Sequence, residues 1–133
     1  MTHMSVIAAA VAARSKAYAP YSRFLVGAAV KDEHGAVHAG CNVENAAYPE
    51  GTCAEAGAIA AMIMGGGRRI TEAAVAGAGD VPVTPCGGCR QKLREFGAPG
   101  LVIHVCDETG RIRRNFTLEE LLPQSFGPEN LAP

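Results

Sequence analysis

The chain has 133 residues, a length that predicts one domain, over residues 1–133, with its own hydrophobic core. Its formal net charge of −1 argues against a nucleic-acid partner, because such partners normally require a basic face. Hydrophobic residues make up 48% of the sequence and charged residues only 19%, which favours an oligomer that covers part of the apolar surface.

The first part of the chain predicts a helix followed by a β-hairpin. Ser5 can cap a helix that runs to about Ala17, and Pro20 prevents its continuation. Strands are expected over residues 25–30 and 36–42, with polar residues and a glycine in the turn between them.

The remainder of the chain predicts alternating helices and strands. They are a helix over residues 53–64, a strand over 71–78, a helix over 86–96, strands over 101–106 and 111–116, and a short helix over 117–122 that Thr117 can cap. The strand over 71–78 is small and apolar enough to be buried on both faces. This order favours an α/β protein with helices on both faces of a sheet. We therefore expect a three-layer α/β/α sandwich around a five-stranded mixed sheet.

The lengths of the apolar stretches and the number of cysteines predict the cellular location of the protein. No stretch approaches the ~20 uninterrupted apolar residues of a membrane span, so we expect no membrane association and no signal peptide. The five cysteines are an odd number, and three of them have metal-ligand spacing. This favours a metal site over a disulfide framework and predicts a cytoplasmic protein.

Three cysteines at the starts of two predicted helices suggest a zinc site. Cys53 precedes one helix, and Cys86 and Cys89 form a Cys-x-x-Cys pair at the start of the other, where the helix dipole favours thiolates. Zinc held by three protein ligands keeps a fourth position open, and water bound there has a pKa of about 7. A structural zinc site or buried thiols remain the alternative for these cysteines, since redox motifs and zinc ribbons share the Cys-x-x-Cys pair.

Two charged residues accompany the cysteines. Glu55 is too close to Cys53 to be an easy co-ligand, but it could take a proton from water at the metal and pass it to a leaving amine. The alternative is a first-turn carboxylate that stabilises the helix dipole. Three thiolates around Zn²⁺ leave an excess negative charge, so we expect Arg90 to donate to a thiolate; an ordinary surface arginine is the alternative.

Several segments resemble the homotetrameric zinc-dependent cytidine deaminases. The segments are YAPYSRF (18–24), VGAA (26–29), GCNVENAAY (40–48), TCAE (52–55) and PCGGCRQ (85–91), with a similar tail at LLP (121–123) and Phe126. The resemblance spans residues 18–131, and zinc deaminases are known to use three-cysteine ligand sets with a glutamate as general acid and base. It implies Zn²⁺ as cofactor, the three cysteines as ligands, and deamination of cytidine and 2'-deoxycytidine with release of ammonia.

The resemblance also assigns substrate contacts, position by position. Asn42 and Glu44 match the residues that bind the ribose hydroxyls, although polar turn residues would look the same. Phe24 matches the aromatic ring that packs against the pyrimidine, although a lone phenylalanine is more often a core residue. The backbone amide of Ala54, together with Glu55, matches the groups that hold the polar edge of the base.

Another set of matched positions implies active sites shared between subunits. Ala46, Tyr48 and Phe126 match the positions through which a neighbouring subunit completes the pocket of a homotetramer. One position departs from the family, since many members have an arginine directly after the catalytic glutamate and this chain has Ala56. The neutralising role of that arginine must then pass to Arg90 and the helix ends.

Other functions remain open from the residues alone. The absence of a Lys/Arg cluster in the motifs favours a free nucleoside over a nucleotide as substrate. A related deaminase could act on a modified cytosine nucleoside such as blasticidin S. A non-catalytic zinc-stabilised binding module would instead need a fourth protein ligand. The histidines at 34, 38 and 104 have no acidic partner at a spacing that would make any of them a base.

Overall fold

A five-stranded mixed sheet organises the computed structural model, which describes residues 4–131. The strands are β1 (Val26–Asp32), β2 (Val37–Cys41), β3 (Ile70–Gly77), β4 (Val102–Cys106) and β5 (Ile112–Thr117), and the helices are α1 (Val6–Arg14), α2 (Ala54–Met64), α3 (Gly87–Phe96) and α4 (Leu118–Leu121). The strand order is β2-β1-β3-β4-β5, in which only the β3–β4 pair is parallel.

This architecture confirms the predicted sandwich and the order of its elements. Ser5 caps α1 through a bond from the Ala8 N–H at 3.1 Å, and Thr117 caps α4. The first helix is shorter than predicted and ends at Arg14. Two single 3-10 turns, Tyr48–Glu50 and Pro128–Asn130, lie outside the predicted helices and strands. Within residues 4–131, no helix combines the length and the hydropathy needed to cross a bilayer.

Small residues on β3 allow helices to pack on both faces of the sheet. Ala73 and Val75 point into the core under α2 and α3, whereas Ala74 and Ala76 pack beneath α1. Alternate residues of a strand face opposite sides, so a strand covered on both faces needs apolar side chains throughout. The prediction that this strand is buried on both faces is confirmed.

Gly40 sets the position of α2 against the edge strand β2. A Cβ atom at Gly40 would lie 2.4 Å from the backbone nitrogen of Ala58 and 2.6 Å from the carbonyl oxygen of Ala54. These distances are far below van der Waals contact, so only glycine permits this approach. The first turn of α2 is thereby held beside the end of β2, where the segment from Cys41 to Glu44 begins.

Candidate active site

Three cysteine side chains meet where α2 and α3 begin. Cys53 is the residue before α2, Cys86 is the residue before α3, and Cys89 lies in the first turn of α3. Their Sγ atoms lie within 4.8 Å of one another, and the Cys53 and Cys86 sulfurs are 3.8 Å apart. Tetrahedral zinc with Zn–S bonds of about 2.3 Å requires sulfur separations of about 3.8 Å. The cluster therefore has the dimensions of a zinc site.

Burial and hydrogen bonding shift the pKa values of these three thiols in opposite directions. A hydrogen bond from the backbone N–H of Cys89 lowers the pKa of Cys86. Burial raises the pKa of Cys53 and of Cys89. Three thiolates at this spacing become stable together when a positive ion lies between them. Among the described residues this group of possible ligands consists of the three cysteines. A zinc ion held by them would keep a further position for water or substrate.

Glu55 is buried in the first turn of α2, with 5% of its surface exposed. Burial raises the pKa of its carboxyl group, whereas its own backbone N–H, the Cys89 side chain and the Lys92 ammonium act in the opposite direction with a smaller effect. A carboxyl group with a raised pKa can accept a proton and return it near neutral pH. Its burial distinguishes Glu55 from an ordinary first-turn carboxylate, which faces solvent.

The prediction that Arg90 donates to a thiolate is wrong. Its Nε donates to the Pro85 carbonyl oxygen at 2.7 Å, and its Nη1 donates to the Leu121 carbonyl oxygen at 2.8 Å. Its Nη2 donates to the Thr84 hydroxyl at 3.3 Å. Consecutive helical residues point about 100° apart, so Arg90 faces the preceding loop and α4 while Cys89 faces the cluster. Arg90 is half-buried and holds the backbone next to Cys86.

The side-chain amide of Asn42 links the start of β1 to the segment after β2. Its Oδ1 accepts a bond from the Val26 N–H at 2.9 Å, and its Nδ2 donates to the Phe24 carbonyl oxygen at 2.9 Å. The second hydrogen of Nδ2 is available for a substrate hydroxyl. The Phe24 side chain is 43% exposed, so Phe24 is not a core residue in this chain.

Glu44 lies on the segment after β2, which backbone hydrogen bonds hold next to Thr52, the residue before Cys53. Val43 and Thr52 exchange two hydrogen bonds of 3.0 and 2.9 Å, so the segment lies beside Cys53. The Glu44 carboxylate accepts bonds from the Ser22 hydroxyl, the Ser22 N–H and the Tyr21 N–H. These bonds lower the pKa of Glu44, the Ser22 hydroxyl most strongly, so Glu44 is ionised at neutral pH.

Exposed residues after Glu44 form a cleft near the predicted ribose site. Tyr48 is 77% exposed, and its ring packs edge to face on Tyr21 with centroids 6.1 Å apart. Both rings line a cleft of about 370 Å³ together with Ser22 and Glu44. Ala46 is exposed on the same segment.

Phe126 lies in the C-terminal tail, which is held against α3. Gln91 of α3 donates to the Phe126 carbonyl oxygen at 3.0 Å, and Arg94 donates to the Ser125 hydroxyl at 2.8 Å. The tail therefore runs along α3, the helix that follows Cys86. The Phe126 ring itself is 57% exposed and lacks the buried surroundings that an aromatic side chain normally occupies.

Two histidines have acidic partners that sequence spacing did not indicate. His38 Nε2 lies 2.8 Å from the buried Asp32 carboxylate, and His104 Nε2 lies 2.6 Å from Glu72. The prediction that no acidic residue is placed to partner these histidines is therefore wrong for His38 and His104. Strand pairing creates both contacts, because β1 pairs with β2 and β3 pairs with β4. Sequence reasoning also missed Lys92, which acts on Glu55; its position three residues after Cys89 was the available signal.

Comparison with known proteins gives consistent results along the chain. The family model of the zinc-binding region of cytidine and deoxycytidylate deaminases matches residues 1–105, which include the three cysteines and Glu55. A cytidine deaminase of Mycobacterium tuberculosis is 46% identical over 123 residues, covering 92% of this chain and 87% of that protein. A cytidine deaminase of Sporosarcina psychrophila is 39% identical over 127 residues, covering 96% and 93%.

Solved structures show the same similarity at the level of the fold. The crystal structure of cytidine deaminase from Burkholderia pseudomallei superposes with a TM-score of 0.85 at 44% identity, covering 95% of this chain and 100% of that one. The cytidine deaminase structure from Mycobacterium tuberculosis superposes with a TM-score of 0.77 at 41% identity, covering 92% and 94%.

Proposed function

Because this chain belongs to the zinc-binding cytidine deaminase family, we propose that it converts cytidine and 2'-deoxycytidine to uridine and 2'-deoxyuridine with release of ammonia. The observation that supports this most directly is the juxtaposition of three cysteine sulfurs with the buried carboxyl group of Glu55. A carboxyl group beside a three-ligand metal site suits hydrolysis, whereas a purely structural zinc site has no use for one.

In this proposal Cys53, Cys86 and Cys89 hold zinc, and Glu55 moves protons. Bound zinc supplies Lewis acidity, which makes water a usable nucleophile near neutral pH. Glu55 accepts a proton as the oxygen of water bonds to C4 of the cytosine ring, and it passes this proton to N3, which receives the electrons of the C4=N3 double bond. Glu55 then moves the proton of the new hydroxyl group to the amino nitrogen, so the C4–N bond breaks, ammonia leaves and C4 becomes a carbonyl carbon. A pKa raised by burial suits a group that both accepts and returns protons near neutral pH.

The remaining assigned residues orient the nucleoside. The free Nδ2 hydrogen of Asn42 and the carboxylate of Glu44 offer a donor and an acceptor to the ribose hydroxyls. The exposed ring of Phe24 offers an apolar face to the pyrimidine. The backbone N–H of Ala54, in the first turn of α2, has no partner within the helix and can donate to the polar edge of the base.

The proposal includes a cytoplasmic homotetramer that works in pyrimidine salvage. Tyr48 and Phe126 expose large aromatic surfaces beside the site, and a neighbouring subunit would cover them. In that assembly Ala46, Tyr48 and Phe126 complete a neighbour's pocket. Native mass spectrometry tests this, since four subunits with four zinc ions are expected, and a monomer that retains full activity would contradict shared sites.

Ammonia release from cytidine is the decisive assay. Glu55→Gln keeps the size and the burial of the side chain but removes its proton-transfer capacity, so kcat should fall by about 10²–10⁴-fold or more while zinc content is retained. Glu119→Gln alters an exposed carboxylate on α4 and serves as the matched control. Turnover by Glu55→Gln at the rate of the parent protein would contradict the mechanism.

Two alternative functions predict different results in the same assay. A deaminase for a modified cytosine nucleoside would release ammonia from that nucleoside in preference to cytidine. A non-catalytic zinc module would release none from any cytosine nucleoside and would be indifferent to Glu55→Gln. The module interpretation also needs a fourth protein ligand, and the group of possible ligands in residues 4–131 contains only three cysteines.

A further inference from the structure

Neither Arg90 nor Ala56 balances the negative charge of the sulfur cluster. Three thiolates around Zn²⁺ retain an excess negative charge, and ionised Glu55 adds another. Arg90 directs its donors to the oxygens of Pro85, Leu121 and Thr84, away from the sulfurs. Ala56, directly after Glu55, contributes no charge. The N-termini of α2 and α3 supply part of the balancing charge, and a cation from another part of the fold would supply the rest.

Lys92 lies within electrostatic range of this cluster. A Cβ atom placed on Gly88 would be 3.7 Å from the Lys92 Nζ, so the ammonium lies over the first turn of α3, next to Cys89. Gly88 and Cys89 belong to the same helical turn, and Cys86 directly precedes that helix. The ammonium therefore lies on the turn that presents one of the three sulfurs and follows another.

The Lys92 side chain follows the usual direction of a helical side chain, back toward the N-terminus of α3. This places its ammonium over Gly88, on the turn that includes Cys89. The partial positive charge of the helix N-terminus disfavours a cation there, so the compensating attraction would come from the negative charge of the thiolates.

Ala56 leaves space for the lysine. Ala56 and Lys92 line the same groove between α2 and α3. The methyl group of Ala56 leaves its end of the groove open, whereas a long side chain at that position would occupy the space. The two positions therefore act as a pair, with a small residue on α2 and a cationic residue on α3.

We propose that Lys92 is a positioning residue that supplies, through the groove beside Ala56, the positive charge that balances the zinc-ligating thiolates and Glu55. The inference rests on the proposed zinc chemistry and adds a residue to which no role has been given. Lys92 contacts neither substrate nor metal in this account. It acts through the electrostatic potential at the sulfurs and at the carboxylate.

Zinc retention tests this role independently of turnover. The purified holoenzyme is mixed with excess chelator, and zinc loss is followed with a metal-sensitive dye. Lys92→Met keeps a long side chain with high helix propensity but removes the charge. We expect zinc loss about 10-fold faster, the lower end of the effect of groups that support metal ligands, because Lys92 is exposed. Lys16→Met, at an exposed lysine that follows α1, should lose zinc at the rate of the parent.

Moving the charge to the other helix separates electrostatics from packing. Ala56→Arg combined with Lys92→Met returns a cation to the groove from α2 and should restore the slow zinc loss of the parent. Lys92→Arg alone keeps a cation on α3 and should also lose zinc slowly. Parent-like retention in Lys92→Met, or failure of both cationic variants to restore it, would overturn the proposal. If Lys92→Met loses zinc faster but the parent releases no ammonia from cytidine, the proposed function is overturned and the role of Lys92 is not. A parent protein without stoichiometric zinc would overturn both.

Discussion

Replacement of Gly40 by alanine should displace the helix that presents Cys53 and Glu55. The added Cβ would lie 2.4 Å from the Ala58 nitrogen and 2.6 Å from the Ala54 carbonyl oxygen, and both contacts are with backbone atoms. No side-chain rotation relieves such contacts, so α2 must move by about 1 Å to reach ordinary van der Waals distance. Overpacking of this kind costs about 1–3 kcal/mol.

The displacement should be visible in both stability and activity. At about 4 °C per kcal/mol for a chain of this size, Gly40→Ala should lower Tm by about 4–12 °C in a thermal unfolding scan. A shift of about 1 Å at a catalytic group can cost on the order of 10²-fold in rate, so kcat/KM for cytidine should fall by that order. Both effects have one cause, because Ala54 lies between the zinc ligand and the general base.

Gly57→Ala provides the matched control on the other side of the same contact. A Cβ atom at Gly57 would lie 3.4 Å from the Gly40 Cα, which is an ordinary contact. Because alanine has a higher helix propensity than glycine by about 1 kcal/mol, this variant should be as stable as the parent or more so. If Gly40→Ala unfolds at the parental temperature with parental activity, the proposed close packing of α2 on β2 is refuted.

Two further predictions concern residues that support the site and the sheet. Arg90→Ala leaves the Pro85 and Leu121 carbonyls without a charged donor, so the free energy of unfolding should fall by about 2–3 kcal/mol in denaturant unfolding. Arg90→Lys should recover little of this stability, because one ammonium cannot span both oxygens. A stability equal to the parent's in Arg90→Ala would show that these bonds are dispensable. The Thr109 hydroxyl, with backbone N–H groups and Arg113, lowers the pKa of Asp107 to about 2. The ionised Asp107 carboxylate therefore stabilises the fold fully above its unfolded pKa of about 3.9, and this contribution is lost as the pH falls through about 2. Between pH values of about 4 and 2, the free energy of unfolding of Asp107→Asn should fall less steeply than that of the parent. Parallel pH profiles for the two proteins would contradict this assignment.

Interactions that depend on neighbours in the chain were predictable from the sequence. Cys53 and Cys86 were expected at helix N-termini because caps and helix starts are specified within a few residues, and both lie there. The run of small apolar residues in β3 indicates a strand that is buried on both faces. The cap at Thr117 is likewise local, because the Thr117 hydroxyl and the Glu120 carboxylate each accept a bond from the other residue's backbone N–H.

Side-chain directions between distant elements were not predictable in the same way. Arg90 was expected to face the thiolates, but the rotation of α3 turns it toward Leu121. The partnership of His38 with Asp32 depends on the pairing of β1 with β2. A long or polar side chain has several rotamers available. Which rotamer it adopts depends on the charged groups and oxygen atoms that other elements bring close to it.

The amino-acid sequence by itself therefore determined the order of helices and strands, the three sulfur ligands and the adjacent carboxylate, since each depends on residue type and short spacing. Only the tertiary structure decided that Glu55 is buried, that Arg90 supports the backbone beside Cys86, and that Lys92 shares a groove with Ala56. Burial and electrostatic neighbourhood arise when elements far apart in the chain pack together, and they have no local signal in the sequence.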